Sequence, residues 1–169
     1  MSNFIQLQNN KTLKLTNVLK QRIDLKSNDE ISTIVAKMDN YIKSKGALPI
    51  GPLIQKSSLA LGNDGELEIN IYLMRQANKF IHNVDEPFYM DSLIRIRNCM
   101  YAKYCGPEEK LKFAYDKSNL AAVEDAIELS NENYTIFIDQ QDDNIIADIF
   151  VEQLIHEWKT HQKTRRVKR

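Results

Sequence analysis

The side chains able to do chemistry in this sequence fall on a few short stretches, and none forms a catalytic motif of high specificity. Between Glu66 and Arg75, Glu68, Asn70, Tyr72 and Met74 alternate with Leu67, Ile69, Ile71 and Leu73. A strand of that period buries its aliphatic face and turns a mixed polar and aromatic face outward, the character of a binding-site wall. Tyr72, Tyr89, Tyr101 and Phe137 are the rings placed to line a pocket, since rings bring apolar area and attract cations over their faces. Arg95 and Arg97 alternate on one strand face, where they can receive a carboxylate or phosphate, or pair across strands with Glu68 or Asp148.

Metal and nucleophile chemistry find little support. His82, His156 and His161 are scattered, and no Cys or His lies at zinc-like spacing, so neither a metal nor a cofactor is expected. Cys99 and Cys105 fall in one expected strand, and six extended residues span roughly 20 Å, too far for an easy bridge. Cys99 has no His near it in sequence to lower its pKa, which argues against a nucleophile. Trp158, amid His156, Lys159 and His161, reads as an anchor that docks the tail on the body or on a partner.

The elements that must position these residues follow from periodicity. Residues 12–25 alternate, with Leu13, Leu15, Leu19, Ile23 and Leu25 on one side, and read as a half-buried strand. Ser27 and Glu30 form a capping box for a helix over 28–45, whose stripe is Ile31, Ile34, Val35, Met38, Tyr41 and Ile42, stopped by Gly46. Pro49, Gly51 and Pro52 predict a bulged or edge strand, and Asn63-Asp64-Gly65 a hairpin turn. Residues 76–91 read as a connector or flap. The strand 92–105 puts Ile94, Ile96, Met100, Ala102 and Tyr104 on one face and Arg95, Arg97, Cys99, Tyr101 and Lys103 on the other. Pro107 suits the first turn of a second helix, in which Lys117-Ser118-Asn119 predicts a kink. Tyr134–Asp139 and Ile145–Glu152 form a last hairpin. The order strand, helix, hairpin thus occurs twice at an offset of about 80 residues, which reads as an internal duplication.

Composition sets the outer bounds. The 169 residues, 43% of them apolar, suffice for one core, and 23 basic residues balance 23 acidic ones. That balance gives the body no field to draw in DNA or an anionic membrane. From Lys159 to Arg169 there are six basic residues and no acid, read as a solvated tail or as a contact for nucleic acid, lipid headgroups or an acidic partner. No run approaches the roughly 20 apolar residues of a membrane span, and no leader is evident, so a reducing cytoplasm is expected. Abundant Lys, Asn and Ile suit an AT-rich bacterial source.

With that order established, the chain resembles the GyrI-like effector-binding superfamily, the tandem βαββ domains of gyrase-inhibitor proteins and multidrug-sensing regulators. LPIGPLIQ, MYAKYCGPEEKLKFAYDKSN and the closing ADIFVE carry the resemblance. It implies an α+β fold with pseudo-twofold symmetry, one antiparallel sheet and two long helices over 12–153. The halves fall at about 12–76 and 92–153, after an extension at 1–11 and before a basic tail at 154–169. It also implies a ligand cleft between the halves, ringed by aromatics and holding a Glu two residues before a Tyr on the first strand of the last hairpin. Here NYTIFI places Thr135 and Phe137 at those positions. A hydroxyl cannot offset the desolvation of a bound cation as a carboxylate does, so the ligand is neutral or another acid serves, with Glu68, Asp148 and Glu152 as candidates.

The primary expectation is a binding module without enzymatic activity, sensing or sequestering an amphipathic aromatic compound through Glu68, Tyr72, Tyr89, Tyr101, Thr135, Phe137 and Asp148. One alternative is an adaptor or chaperone using the sheet edge at Pro49–Pro52 or the basic tail, in the setting of type VII secretion or toxin clusters that some similar proteins share. Another is a hydrolase of strained electrophiles, as some proteins of that superfamily are. Direct DNA binding is not expected, because no helix-turn-helix segment precedes Thr12.

Overall fold

The computed structural model describes residues 3–155. The elements run β1 (Phe4–Arg22), α1 (Ile31–Ser44), β2 (Pro49–Leu61), β3 (Leu67–Ala77), β4 (Phe88–Pro107), a 3-10 turn (Glu108–Lys110), α2 (Lys112–Glu124), β5 (Glu128–Gln141) and β6 (Asn144–Leu154). All strand pairings are antiparallel, and the sheet closes as a barrel in the order β1-β3-β2-β5-β6-β4. The fold is therefore α+β, one antiparallel sheet with two helices.

A closed sheet has an inner and an outer face, and the apolar residues sort accordingly. Leu13, Leu15, Val18, Ile54, Met74 and Tyr134, with Ile94, Ile96, Ile136 and Phe150 against them, come from all six strands and from neither helix. They fill the inside. Outside, Ile34, Met38 and Ile42 of α1 pack on Leu19, Leu73 and Ala77. Ala114 of α2 packs on Ala102, Tyr104, Ala147 and Ile149. The two helices thus cover two separate outer patches and, among the described residues, no helix packs on the rest of the outer surface.

Several local expectations are corrected. β1 begins at Phe4 rather than near residue 12, and Phe4 already faces Cys105 on β4, so the first residues belong to the sheet. Alternation along β1 breaks at Asn17, which takes φ 50°: Leu13 and Leu15 point inside while Leu19 lies under α1. Another break falls at Asn98 (φ 57°), where the β1–β4 register slips, so Ile94 and Ile96 point inside yet Tyr104 belongs to the α2 cluster outside. Asn tolerates the left-handed region, and one extra residue flips every side chain beyond it.

The predicted capping box does not form. Glu30 is the N-cap without a side-chain bond, α1 starts at Ile31, and Ser27 Oγ instead accepts from the Asp29 amide at 3.1 Å. Pro107 ends β4 instead of opening a helix. No break interrupts α2, because Ser118 is buried and its hydroxyl donates to the Ala114 carbonyl at 2.9 Å, satisfying itself within the helix. Pro49–Pro52 does carry a bulge, with Gly51 at φ +69°, but β2 lies between β3 and β5 rather than at a sheet edge. The turn at Asn63-Asp64-Gly65 connects β2 to β3 as read, with Gly65 at φ +80°. Cys99 and Cys105 are both buried and are not joined by a disulfide. Trp158, His156, His161 and the basic run lie outside the described residues.

Met38 is fully buried between α1 and the sheet, whereas Val123 on α2 is 76% exposed. Met38→Ala is expected to cost about 2–5 kcal/mol in urea unfolding and Val123→Ala less than about 0.5 kcal/mol. Equal losses would mean that α1 does not pack as described.

Candidate ligand cleft

Where β2 meets β5, the head of α1 and the 3-10 turn before α2 flank the outer face of the sheet without covering it. The resulting cleft has a volume of about 320 Å³. Leu53 and Gln55 of β2, Leu73 of β3, Phe137 of β5 and Ile145 of β6 line it, with Ile31 at the head of α1 on one side and Glu108 of the 3-10 turn on the other. Asp139 and Gln140 complete the wall. The size is at the lower end of ordinary small-molecule sites.

Two irregularities in the ladder shape it. On β2 the register slips between Ile50 and Ile54, and Arg75 braces the bulge by donating to the Gly51 carbonyl at 2.6 Å and pairing with Asp39 of α1 at 2.8 Å. On β5 a slip between Phe137 and Asp139 lets consecutive residues Asp139 and Gln140 both reach the cleft. The Asp139 carboxylate accepts from the Gln140 amide and from Gln141 Nε2, which orients it. The cleft therefore presents an aliphatic floor, one aromatic ring, two amides and two exposed carboxylates.

The seven residues expected to form a site are distributed over several places. Phe137 lines the cleft. Thr135 faces the same side, opposite Gln55, but is 1% exposed and hydrogen-bonded to Tyr115 Oη of α2. Burial pushes the Tyr115 phenol up, partly offset by that bond. Tyr101 and Asp148 are on the inner face, where Tyr101 Oη donates to Asp148 Oδ1 at 2.7 Å and its ring lies 5.1 Å from Phe150. Burial first, then the bond to Asp148 and its charge, push the Tyr101 phenol well up. Tyr72 is inside too, and the space it shares with Tyr134 is taken by Lys56, whose Nζ is 6.0 Å and 5.7 Å from the two ring centres and 3.2 Å from Glu132. Tyr89 is half exposed, opposite Lys20 on β1. Glu68 lies with Arg22 and Ile69 at a separate, more open trough of about 680 Å³ beside the 22–26 loop.

Lys56 is a cation supplied by the chain itself to an aromatic pair with a carboxylate beside it, so the inner rings are already engaged. Glu108 and Asp139 were missed by the sequence reading. Glu108 was legible as an acid before a helix, but the β4–β6–β5 pairing that brings it to the same cleft as Asp139 leaves no local trace.

No family model matches the chain, and no curated protein matches it. Solved structures do. EcmrR, in a cryo-EM structure of its DNA complex in EcmrR-RPo, is similar with a TM-score of 0.57 at 13% identity, over 90% of this chain and 58% of that one. This chain thus spans little more than half of that protein, and the likeness is one of fold. SAV2435 bound to tetraphenylphosphonium is matched with a TM-score of 0.45 at 10% identity, over 96% of this chain and 98% of that one. Among the described residues no helix is long and apolar enough to cross a membrane, and no cluster of potential metal ligands occurs.

Burial, followed by the charges of Glu132, Asp91 and Glu152, holds the Tyr134 phenol up to about 12. An unfolded tyrosine ionises near pH 10, so the neutral buried phenol contributes stability that is intact below about pH 10 and lost as the pH rises to about 12. Absorbance titration is expected to show late phenol ionisation accompanying alkaline unfolding, with the late step reduced in Tyr134→Phe. Ordinary titration of all seven tyrosines near pH 10 in the folded protein would contradict the burial.

Proposed function

We propose that this protein is a non-enzymatic, GyrI-like binding protein that takes an amphipathic small molecule in the cleft between two βαββ halves. The repeat reading draws on the element order, β-α-β-β twice. It also draws on the match between the pairs Lys56↔Tyr72 in the first hairpin and Tyr134↔Phe150 in the second, at an offset close to that of the sequence. The observation that carries the binding reading is the cleft at the β2–β5 junction, with Leu53, Leu73, Phe137 and Ile145 at its floor and Glu108 and Asp139 at its rim.

Such a site suits a ligand with a ring or aliphatic body against the floor and a cationic or donor group at the rim. Glu108 and Asp139 then take the role that the resemblance gives to a Glu where this chain has Thr135. Of the residues expected from sequence, Phe137 is the direct contact, and Thr135 supports the floor through Tyr115. Sensing or sequestering in a bacterial cytoplasm is the corresponding cellular role.

A second reading, as a protein adaptor, draws on the β2–β3 tip, where Leu59 faces Ile69 and Leu61 faces Leu67, all four exposed. Calorimetric titration with benzyltrimethylammonium and its uncharged isostere neopentylbenzene separates the readings. The cleft reading expects both to bind, with Glu108→Gln/Asp139→Asn weakening the cation by roughly tenfold and leaving the neutral compound unchanged. Phe137→Ala should weaken both. Absence of any binding, or binding indifferent to Phe137, would turn the choice toward the adaptor.

A further inference from the structure

Apart from the cleft, we infer that the outer wall of the β1–β4 pair, which neither α1 nor α2 covers, is a nucleic-acid phosphate-binding surface. Between Lys11 and Thr16 on β1 and between Leu93 and Arg97 on β4, the inward side chains Leu13, Leu15, Ile94 and Ile96 belong to the inner core. The outward ones, Thr12, Lys14, Thr16, Leu93, Arg95 and Arg97, are all exposed. Lys14 lies directly opposite Arg95 in the ladder. Like charges in that position repel, and among the described residues no carboxylate forms an ion pair with Lys14, Arg95 or Arg97.

The acids of the neighbouring ladder are turned elsewhere. Asp91 pairs with Lys20 at 2.8 Å, Asp148 accepts from Tyr101 inside, and Glu152, opposite Cys99, acts on Cys99 and Tyr134. Glu128 lies in the groove where the described chain ends, with Asn98, Gln153, Leu154 and Ile155.

Composition of the wall selects the anion. Arg, Lys and Thr side chains are those that contact phosphate and sugar oxygens, whereas a membrane surface calls for apolar side chains to insert and a protein interface for an aromatic or apolar centre. Leu93 is the single large apolar side chain here. The surface specifies no base contacts, so binding is expected to be independent of sequence.

The test is fluorescence anisotropy of the 169-residue chain with a short mixed-sequence DNA duplex between about 50 and 200 mM salt. The expected result is binding that weakens steeply with salt. K14Q/R95Q/R97Q should lower affinity at least about tenfold and reduce the salt slope by about three, with an unchanged melting temperature. Thr12→Glu/Thr16→Glu, which adds carboxylates to the same wall, should weaken binding likewise. No duplex binding at about 50 mM salt, or full affinity retained in both variants, overturns the proposal. Sedimentation with phosphatidylserine vesicles but not with duplex overturns it in favour of a membrane.

Discussion

Pairing of β1 with β4 and of β2 with β5 joins the ends of the sheet, so every strand has a neighbour on both sides and the residues divide between an inside and an outside. The inside is a ring of aliphatic and aromatic side chains from all six strands, with Lys56 and its partners toward one part of it. Since that space is filled by the chain itself, an external molecule is left the outer face. There the two helices take two patches, and what they leave uncovered becomes available for function.

The cleft and the cationic wall are both such uncovered places, and they differ for a physical reason. At the β2–β5 junction the head of α1 and the 3-10 turn stand on either side, giving depth and shelter to an aliphatic floor, while Glu108 and Asp139 remain in water at the rim. Over the middle of β1–β4 neither α1 nor α2 packs among the described residues, and the outward positions carry hydroxyls and cations that need no shelter. A small amphipathic molecule gains from the first arrangement through apolar burial. A long polyanion gains from the second through charge, without a pocket.

Bulges are the means by which one strand serves both faces. Asn17 and Asn98 reverse the alternation of β1 and β4 part-way, so each long strand gives one segment to the inner core and another to the floor beneath a helix. Gly51 and the slip near Ile138 do comparable work at the cleft. The bends thus place Leu53, Asp139 and Gln140 where straight strands would not.

Local signals in the sequence determined the succession of elements: the stripe of α1, the turn at Gly65, the alternation of Leu67 to Leu73 and the last hairpin are each set by neighbours within a few residues. Such short-range preferences act before any distant contact exists, which is why they can be read from the chain alone. The assignment of faces was decided only by the tertiary structure. Arg97 and Tyr101 share a parity in sequence but stand on opposite sides of the wall, because the left-handed Asn98 lies between them. The cleft depends on tertiary structure still more: Leu53 and Phe137 meet through a pairing between strands far apart in the chain, and no local preference of either residue records which partner closure will bring.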